Sequence, residues 1–405
     1  MQSCLALIPD DTDLVYLAYS GGLDSSVLLH LLVSSQPRYR IIPWHVNHGL
    51  QDSALQMEQF CIDHARQYGL EARVDRLEPG SIESNVEATA RRLRYRLFED
   101  GNGPQDCVLT AHHADDQAET FLLNALRGSG SAGLRGIARC RQLGSGQLLR
   151  PLLDYSRRQL EEYAQFYELA WFNDPSNSDL RFDRNYLRNQ VFPVLAARWP
   201  HYQTALSTSS QLQGETQEML DELAHIDLQA LSRSTAGNNP TLDLTELVQL
   251  SPGRRRNLLR YWIAQAGLPA MPGSRLQEVM NQLGARVDAI PEIAMPDYSI
   301  RLYDQRLFLV PVGTEHDCHG VFEFGLATMI EINDCKLRCS RKDLFSRLQI
   351  EDHKQLVSVR FRDAEQPAVD RHRLKRLFQK HRVPPWKRPF TAQVYLDGEL
   401  AGLLL

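Results

Sequence analysis

The run Leu14 to Tyr19 is apolar, Ser20-Gly21-Gly22 follows at once, and Val27, Leu28, Leu29, Leu31 and Leu32 then recur at helical spacing. A strand that turns sharply into a buried helix commits this part of the chain to a layered α/β fold. The two glycines let the backbone turn off the strand and approach a ligand closely. The first helical turn behind them offers unpaired N–H groups and a positive dipole end, which suits an anion. The string lacks the G-x-x-x-x-G-K-[ST] spacing of a Walker loop, so it brings no lysine of its own to a polyphosphate. Asp24, within Ser20-Gly21-Gly22-Leu23-Asp24-Ser25, sets a carboxylate where phosphate is expected, an arrangement that calls for Mg2+ between them. A turn with a helix cap is the plainer alternative for the same string.

Further apolar runs at Ile41 to Val46 and Cys107 to Ala111 alternate with helical patterns at Ser53 to Tyr68 and Glu83 to Phe98, which predicts a parallel sheet flanked by helices. Ser84-Asn85-Val86-Glu87 reads as a capping box for the second helix. After Pro151 the pattern is helical at Tyr155 to Tyr167 and Tyr186 to Arg198, around the turn-rich Asn173 to Ser178. Glu218 to Leu231, Leu242 to Gln249 and Arg254 to Ala266 predict a small helical domain. Beyond Tyr298, alternating runs at Arg301 to Val310, Leu356 to Phe361, Ala392 to Tyr395 and Glu399 to Leu404 predict strands around one basic helix, His372 to Lys380. A length of 405 residues accommodates three domains: a parallel-sheet α/β domain over 1–200, a helical domain over 204–300 and an α+β domain over 301–405.

An apolar fraction of 43% and a charged fraction of 23% match folded globular chains. No stretch approaches the ~18 apolar residues of a membrane span, and Met1 to Asp13 lacks a basic region followed by an apolar one, so a cytoplasmic protein with no membrane partner is expected. The seven cysteines include no C-x-x-C pair, which argues against a disulfide framework or zinc ribbon. Cys335 and Cys339 are the one close pair, without histidines at ligand spacing. A net charge of −5 neither supports nor excludes nucleic acid. Local clustering matters more: Arg371, Arg373, Lys375, Arg376, Lys380, Arg382, Lys387 and Arg388 fall in a segment without an acid. It is either a phosphate-facing patch or a solvated helix face.

Other candidates sit on these elements. His45 and His48 end the second strand, at the carboxyl edge where open α/β sheets bind ligands, and are nucleotide contacts or structural histidines. His112 and Asp116, four apart, bracket a helix start and face one site; Asp115 and Asp116 alternatively just favour the helix N-terminus. Arg91 and Arg94 lie one turn apart beside an Ala90, Leu93, Leu97 stripe, and Arg184 and Arg188 form a similar pair. Gly128 to Gly133 matches G-x-G-x-x-G but follows the helical Gln117 to Leu126 instead of a strand, so it is expected to be a flexible loop, not a dinucleotide site.

The S-G-G-x-D-S string between strand and helix resembles the loop of the N-type ATP pyrophosphatases (PP-loop superfamily), which cleave ATP between the α and β phosphates. Within that superfamily the chain resembles the tRNA(Ile)-lysidine synthetase family. The motifs run in order: His45-Val46-Asn47-His48-Gly49-Leu50; Ala90-Arg91 with Arg94-Tyr95; Ala111-His112-His113-Ala114-Asp115-Asp116-Gln117-Ala118-Glu119-Thr120. Arg127-Gly128-Ser129-Gly130 leading to Gly133-Leu134, Arg150-Pro151-Leu152-Leu153 and Asp174-Pro175-Ser176-Asn177 follow, then Arg184-Asn185-Tyr186-Leu187-Arg188 and Pro384-Pro385-Trp386.

The resemblance implies a ligase that uses ATP and Mg2+ to join L-lysine to C2 of the wobble cytidine of a CAU-anticodon tRNA(Ile), through an adenylylated cytidine, with release of AMP and pyrophosphate. It places ATP on Ser20, Gly21, Gly22, Leu23, Asp24, Ser25, His45 and His48, and the metal on Asp24. It assigns the chemistry to Asp24, His112, Asp116 and Arg94. Arg91 and Arg94 lie near the reacting base, Asp116 on the lysine side with Glu119 as a spare carboxylate, and Arg184 and Arg188 on tRNA or phosphate. Arg373, Lys375, Arg376 and Trp386 form an acceptor-stem grip of basic groups plus one stacking surface. A lysine amine is protonated at neutral pH, so a carboxylate that holds it and helps deprotonate it is required. The chain ends at Leu405, a little early for the family, which leaves the last strand open; the oligomeric state, a homodimer included, is also open. The rivals are a tRNA thiolase, a non-catalytic tRNA-binding protein and a small-molecule amide synthetase. No cysteine stands beside the loop or the later motifs as a thiolase needs.

Overall fold

The computed structural model describes residues 1–49, 53–77, 86–175, 179–233, 241–283, 292–313, 320–332, 337–351, 355–361 and 368–404. They form two compact units, Met1–Met219 and Leu220–Leu405. The Ser84 to Glu87 capping box, Leu50, Ser176, Asn177, Cys318, Cys335 and Leu405 lie outside the described residues or side chains.

In the first unit, β1 (Leu14–Ala18) leads into α1 (Leu23–Ser34), β2 (Arg40–Asn47) into α2 (Ala54–Gln67), β3 (Arg73–Arg76) into α3 (Val86–Asp100) and β4 (Asp106–Leu109) into α4 (Ala114–Leu126). A short α5 (Ser131–Leu134) and the hairpin of β5 (Cys140–Leu143) and β6 (Gly146–Leu149) follow. Then come α6 (Arg157–Phe166), α7 (Asp183–Tyr186), a π turn at Leu187–Val191, α8 (Phe192–Arg198) and α9 (Tyr202–Leu231). The strand order is β3-β2-β1-β4-β6-β5, parallel except for β5. The chain lays down β1, β2 and β3 in one direction and then crosses to put β4 on the other side of β1. The β1/β4 boundary is therefore the switch point, where adjacent loops diverge and leave a crevice.

Strand β1 is buried on both faces, as a central parallel strand must be. Val15 and Leu17 pack with Val27, Leu28 and Leu31 of α1, whereas Tyr16 packs with Trp44, Phe98 and Val108. The Gly128 to Gly133 segment expected as a flexible loop is tied down instead: Asn124 donates to Gly133 O at 2.8 Å, Ser131 Oγ to Gln217 Oε1 at 2.7 Å and Ser210 Oγ to Leu134 O at 3.0 Å.

The second unit begins within α9, at Leu220, and continues with β7 (Ser232–Arg233), β8 (Thr241–Asp243), α10 (Leu244–Leu247), α11 (Pro252–Gln265), α12 (Gly273–Gln282), β9 (Glu292–Ala294), β10 (Tyr298–Tyr303) and β11 (Arg306–Pro311). These strands form an antiparallel sheet in the order β7-β8-β11-β10-β9, covered by Leu258, Trp262 and Leu276 of the helices. The region expected to be helical is thus mixed, and the expected boundary at 300 falls inside β10. Leu242, expected to open a helix, pairs with Leu307 as a strand residue. Arg301 to Val310 is a hairpin, not one run, because Asp304 and Gln305 turn through the left-handed region at φ 48° and 60°. Neither is the glycine or asparagine that usually marks such a turn, so the alternation hid the break.

The rest comprises β12 (Val321–Gly325), β13 (Met329–Ile332), β14 (Leu337–Ser340), α13 (Arg341–Leu348), β15 (Val357–Arg360), α14 (Ala368–Lys380), β16 (Ala392–Leu396) and β17 (Glu399–Leu404). A four-stranded antiparallel sheet runs β12-β15-β16-β17, and β13 pairs with β14. Helix α14 buries Leu374 and Phe378 against Tyr395, Leu400 and Leu403. Among the described residues no helix is long and apolar enough to cross a membrane, and Cys4, Cys61, Cys107, Cys140 and Cys339 are unpaired in disulfides.

Candidate active site

Gly21 turns the chain off β1 at φ +74°, where a Cβ would sit 2.9 Å from Cys61 Sγ and 3.0 Å from Phe60 Cδ1, so a side chain is excluded by strain and by space. Ser20 Oγ lies 3.1 Å from Ser25 Oγ, which donates to Gly22 O at 3.0 Å, closing the loop over the start of α1. The loop's amides and the α1 dipole make one wall of the crevice.

The other wall rises from the end of β4. His113 caps α4, and its backbone N–H donates to Asp116 Oδ2 at 3.0 Å. Its ring is buried among three carboxylates: Nε2 lies 3.5 Å from Asp116 and 3.8 Å from Asp24, and Nδ1 3.6 Å from Asp115. Burial alone would depress its pKa, but Asp116, Asp115 and Asp24 overcome that and hold it up at about 9. Burial likewise opposes ionisation of Asp116, yet His113, His112 and Arg188 pull it down to about 2.

Two arginines complete the cluster. Arg157 Nη1, at the first position of α6, donates to both oxygens of Asp24 at 2.8 and 2.7 Å, while its backbone N–H donates to Asp115 Oδ2 at 2.8 Å. Arg188 Nη2 donates to Asp116 Oδ1 at 2.8 Å and Glu119 Oε2 at 3.1 Å, and Nε also donates to Glu119. Burial raises Asp24 and Glu119 above the usual carboxylate range, with Arg157 and Arg188 respectively working against it. Asp24, Asp115, Asp116 and Glu119 thus face the three cations His113, Arg157 and Arg188, an excess of acid open to one more cationic group.

A cleft of 770 Å³ runs along this edge. Of the sequence-selected residues, Ser20, Gly22, Leu23, Asp24, His45, His48, Arg94, Glu119 and Arg188 line it. Gly21, Ser25 and Asp116 support that lining from behind, through the contacts above. His45 is buried and its Nδ1 lies 2.9 Å from Tyr19 O; burial lowers its pKa. His48 is pushed down to about 4 by burial and by Arg94, and its Nδ1 has no hydrogen-bond partner among the described residues.

Others stand apart. His112 contacts Thr110 Oγ1 through Nδ1 at 2.8 Å, and burial pushes it down to about 3, so it is neutral at physiological pH. Arg91 is exposed and shares the Tyr95 ring with Arg94, at 5.2 and 6.0 Å. Arg184 Nη2 reaches Thr120 Oγ1 at 3.4 Å. In the second unit, Arg373, Lys375 and Arg376 form an exposed face of α14. Trp386 does not stand clear as a stacking surface: its ring packs edge-on against Phe308 at 5.4 Å, with Arg301 over it at 5.3 Å.

Sequence reasoning missed His113 and Arg157. The first lay within the same His-His string, and its position as the helix cap was the available signal; the second carries no local signal at all.

The PP-loop domain model matches residues 2–195, and the TilS substrate binding domain model matches 242–308. The chain is 37% identical over 401 residues to the tRNA(Ile)-lysidine synthase of Serratia proteamaculans, covering 96% of this chain and 89% of that one. The chain belongs to the tRNA(Ile)-lysidine synthase family. Family relatives from Coxiella burnetii, at 33% identity over 96% of this chain and 88% of their own, and from Methylococcus capsulatus, at 36% over 95% and 90%, agree. The PP-loop match lies in the first unit and holds the whole carboxylate cluster beside the cleft. The substrate-binding match spans β8 to β11 of the second.

Proposed function

We propose that the cleft adenylylates the wobble cytidine of a CAU-anticodon tRNA(Ile) and then gives its C2 to L-lysine, forming lysidine. The observation that carries this is the cluster of Asp24, Asp115, Asp116 and Glu119 beside a glycine turn built for phosphate: one feature takes ATP, the other takes a cationic nucleophile. The loop amides of Gly22 to Ser25 orient the triphosphate, and the His45 and His48 edge takes the nucleoside. Cytidine O2 attacks the α-phosphorus and pyrophosphate leaves. Lysine Nε then attacks C2, its proton passes to a carboxylate, and AMP leaves with the O2 oxygen.

Asp116, held ionised, anchors the lysine ammonium; Glu119, whose acid form burial favours, takes the proton. Arg94 and Arg91 approach the base, and Arg184 takes backbone phosphate. Among the described residues no cluster of three or more metal-capable side chains forms a cage. Mg2+ on a nucleotide needs only one or two carboxylates, phosphates and water supplying the rest, and Asp24, which lines the cleft, fits that role. When bound, the ion neutralises charge on the phosphates. The roles of 1–200 as catalytic domain and of 204–300 and 301–405 as tRNA-binding domains belong to the same proposal, as does the cytoplasm as the place where tRNA, ATP and lysine meet.

The test is incubation with ATP, labelled lysine and unmodified tRNA(Ile) or tRNA(Met). Label should enter only tRNA(Ile), with AMP and pyrophosphate released and nothing incorporated by Asp24→Ala. Release of ADP and inorganic phosphate, or label-free tRNA(Ile), overturns the proposal.

A further inference from the structure

The glycine turn has no Walker lysine, yet a cation stands beside it. Arg157 comes from the start of α6, 133 positions beyond Asp24 in the chain, and lines the same cleft as Ser20, Gly22 and Asp24. Its place is fixed twice over, by the backbone N–H on Asp115 and by Nε donating to Glu161 at 3.0 Å. Nη1 is committed to Asp24, and Nη2 has no partner among the described residues. A polyphosphate on the α1 N-terminus lies beside Asp24, since Asp24 is in the first turn of that helix. It therefore lies beside the guanidinium that Asp24 holds. Without a cation here, Asp24 would repel the very anion the loop attracts.

Resting on the adenylylation proposed above, we infer that Arg157 is the pyrophosphate-holding residue of this site, stored on Asp24 when no nucleotide is bound and moving its hydrogen bonds to the β and γ phosphates when ATP arrives. In the first step the bond from cytidine O2 to the α-phosphorus forms, and the bond from that phosphorus to the bridging oxygen breaks. The electron pair leaves on pyrophosphate, and Arg157 donates to oxygens of the group on which that charge collects. The guanidinium takes the role that a loop lysine has elsewhere, delivered by the fold in place of the motif.

The experiment compares binding of pyrophosphate and of AMP to the full chain and to Arg157→Ala and Arg157→Lys, by calorimetry, with the thermal transition as a check on folding. AMP lacks the two phosphates in question and serves as the internal reference. Arg157→Ala should weaken pyrophosphate by about tenfold or more, as loss of a charge-assisted contact does, and leave AMP within about twofold. Arg157→Lys should recover part of the loss. In metal-free buffer, Asp24→Asn should tighten pyrophosphate by freeing Arg157. Unchanged pyrophosphate affinity in Arg157→Ala, or an equal loss of AMP and pyrophosphate, overturns the inference, the latter because it means Arg157 merely shapes the loop. Wild-type protein that releases ADP sinks the proposed function instead, so the two failures are told apart.

Discussion

Around the cleft the charges are buried and paired into one cluster, while on α14 Arg373, Lys375 and Arg376 are exposed to solvent. Glu119 is fully buried and Asp116 nearly so, and both depend on Arg188; His113 is buried among Asp24, Asp115 and Asp116. Arg373, Lys375 and Arg376 occupy the exposed side of a helix that buries Leu374 and Phe378, with Leu377 packed beside them. The contrast separates two uses of charge. Buried groups interact in a medium of low polarity, so they are strongly coupled, shift one another's pKa and cannot be removed singly. Exposed groups are screened by salt and act nearly independently, which suits a surface that gathers nucleic acid without positioning an atom.

The comparison breaks most visibly at Arg188. Arg188→Ala leaves Glu119 and Asp116 facing each other without their shared cation, and should cost about 3–5 kcal/mol in stability of the first unit, read by chemical denaturation. Adding Glu119→Gln should recover part of that cost, and a single variant as stable as wild type would show that the cluster tolerates loss of its parts.

Next in size is the pH response. His113 has its folded pKa raised from 6.5 to about 9, so its stabilisation is fully present below about pH 6.5 and is lost as pH climbs through about 9. The difference is on the order of 3 kcal/mol. His113→Asn should flatten that segment of the stability profile; a wild-type profile already flat between those values contradicts the buried imidazolium.

Smallest are the effects on α14. Arg373→Ala, Lys375→Ala and Arg376→Ala should each weaken tRNA binding by a few-fold, roughly additively, and lower the slope of log affinity against log salt by about one. Thermal stability should stay within about 0.5 kcal/mol. Strong non-additivity would move this face into the same class as the cleft.

Much of the site was legible because its parts are local. Ser20 to Ser25 announces a strand-to-helix turn within six residues, and the run from His112 to Glu119 puts imidazoles and carboxylates at one helix start. Local spacing gave only part of each set of neighbours. Four-residue spacing pointed to His112 with Asp116, and the two groups do act on each other, but the cap geometry also brings His113 among the carboxylates, while His112 rests beside Thr110. Arg188 was expected to meet tRNA or phosphate because an arginine pair on a helix looks like a phosphate contact; in the fold it meets Asp116 and Glu119. Trp386 looked like a stacking surface, but the β10–β11 hairpin provides Phe308 to receive it.

The amino-acid order by itself determined the alternation of strand and helix, the glycine turn and the grouping of acids at the start of α4. Each depends on interactions among residues a few positions apart. Which arginines join the acids was decided by the tertiary structure, because Arg157 and Arg188 reach Asp24 and Asp116 across 133 and 72 positions. The strength of a buried ion pair depends on the solvent excluded around it, and that exclusion exists only once the sheet and helices have packed.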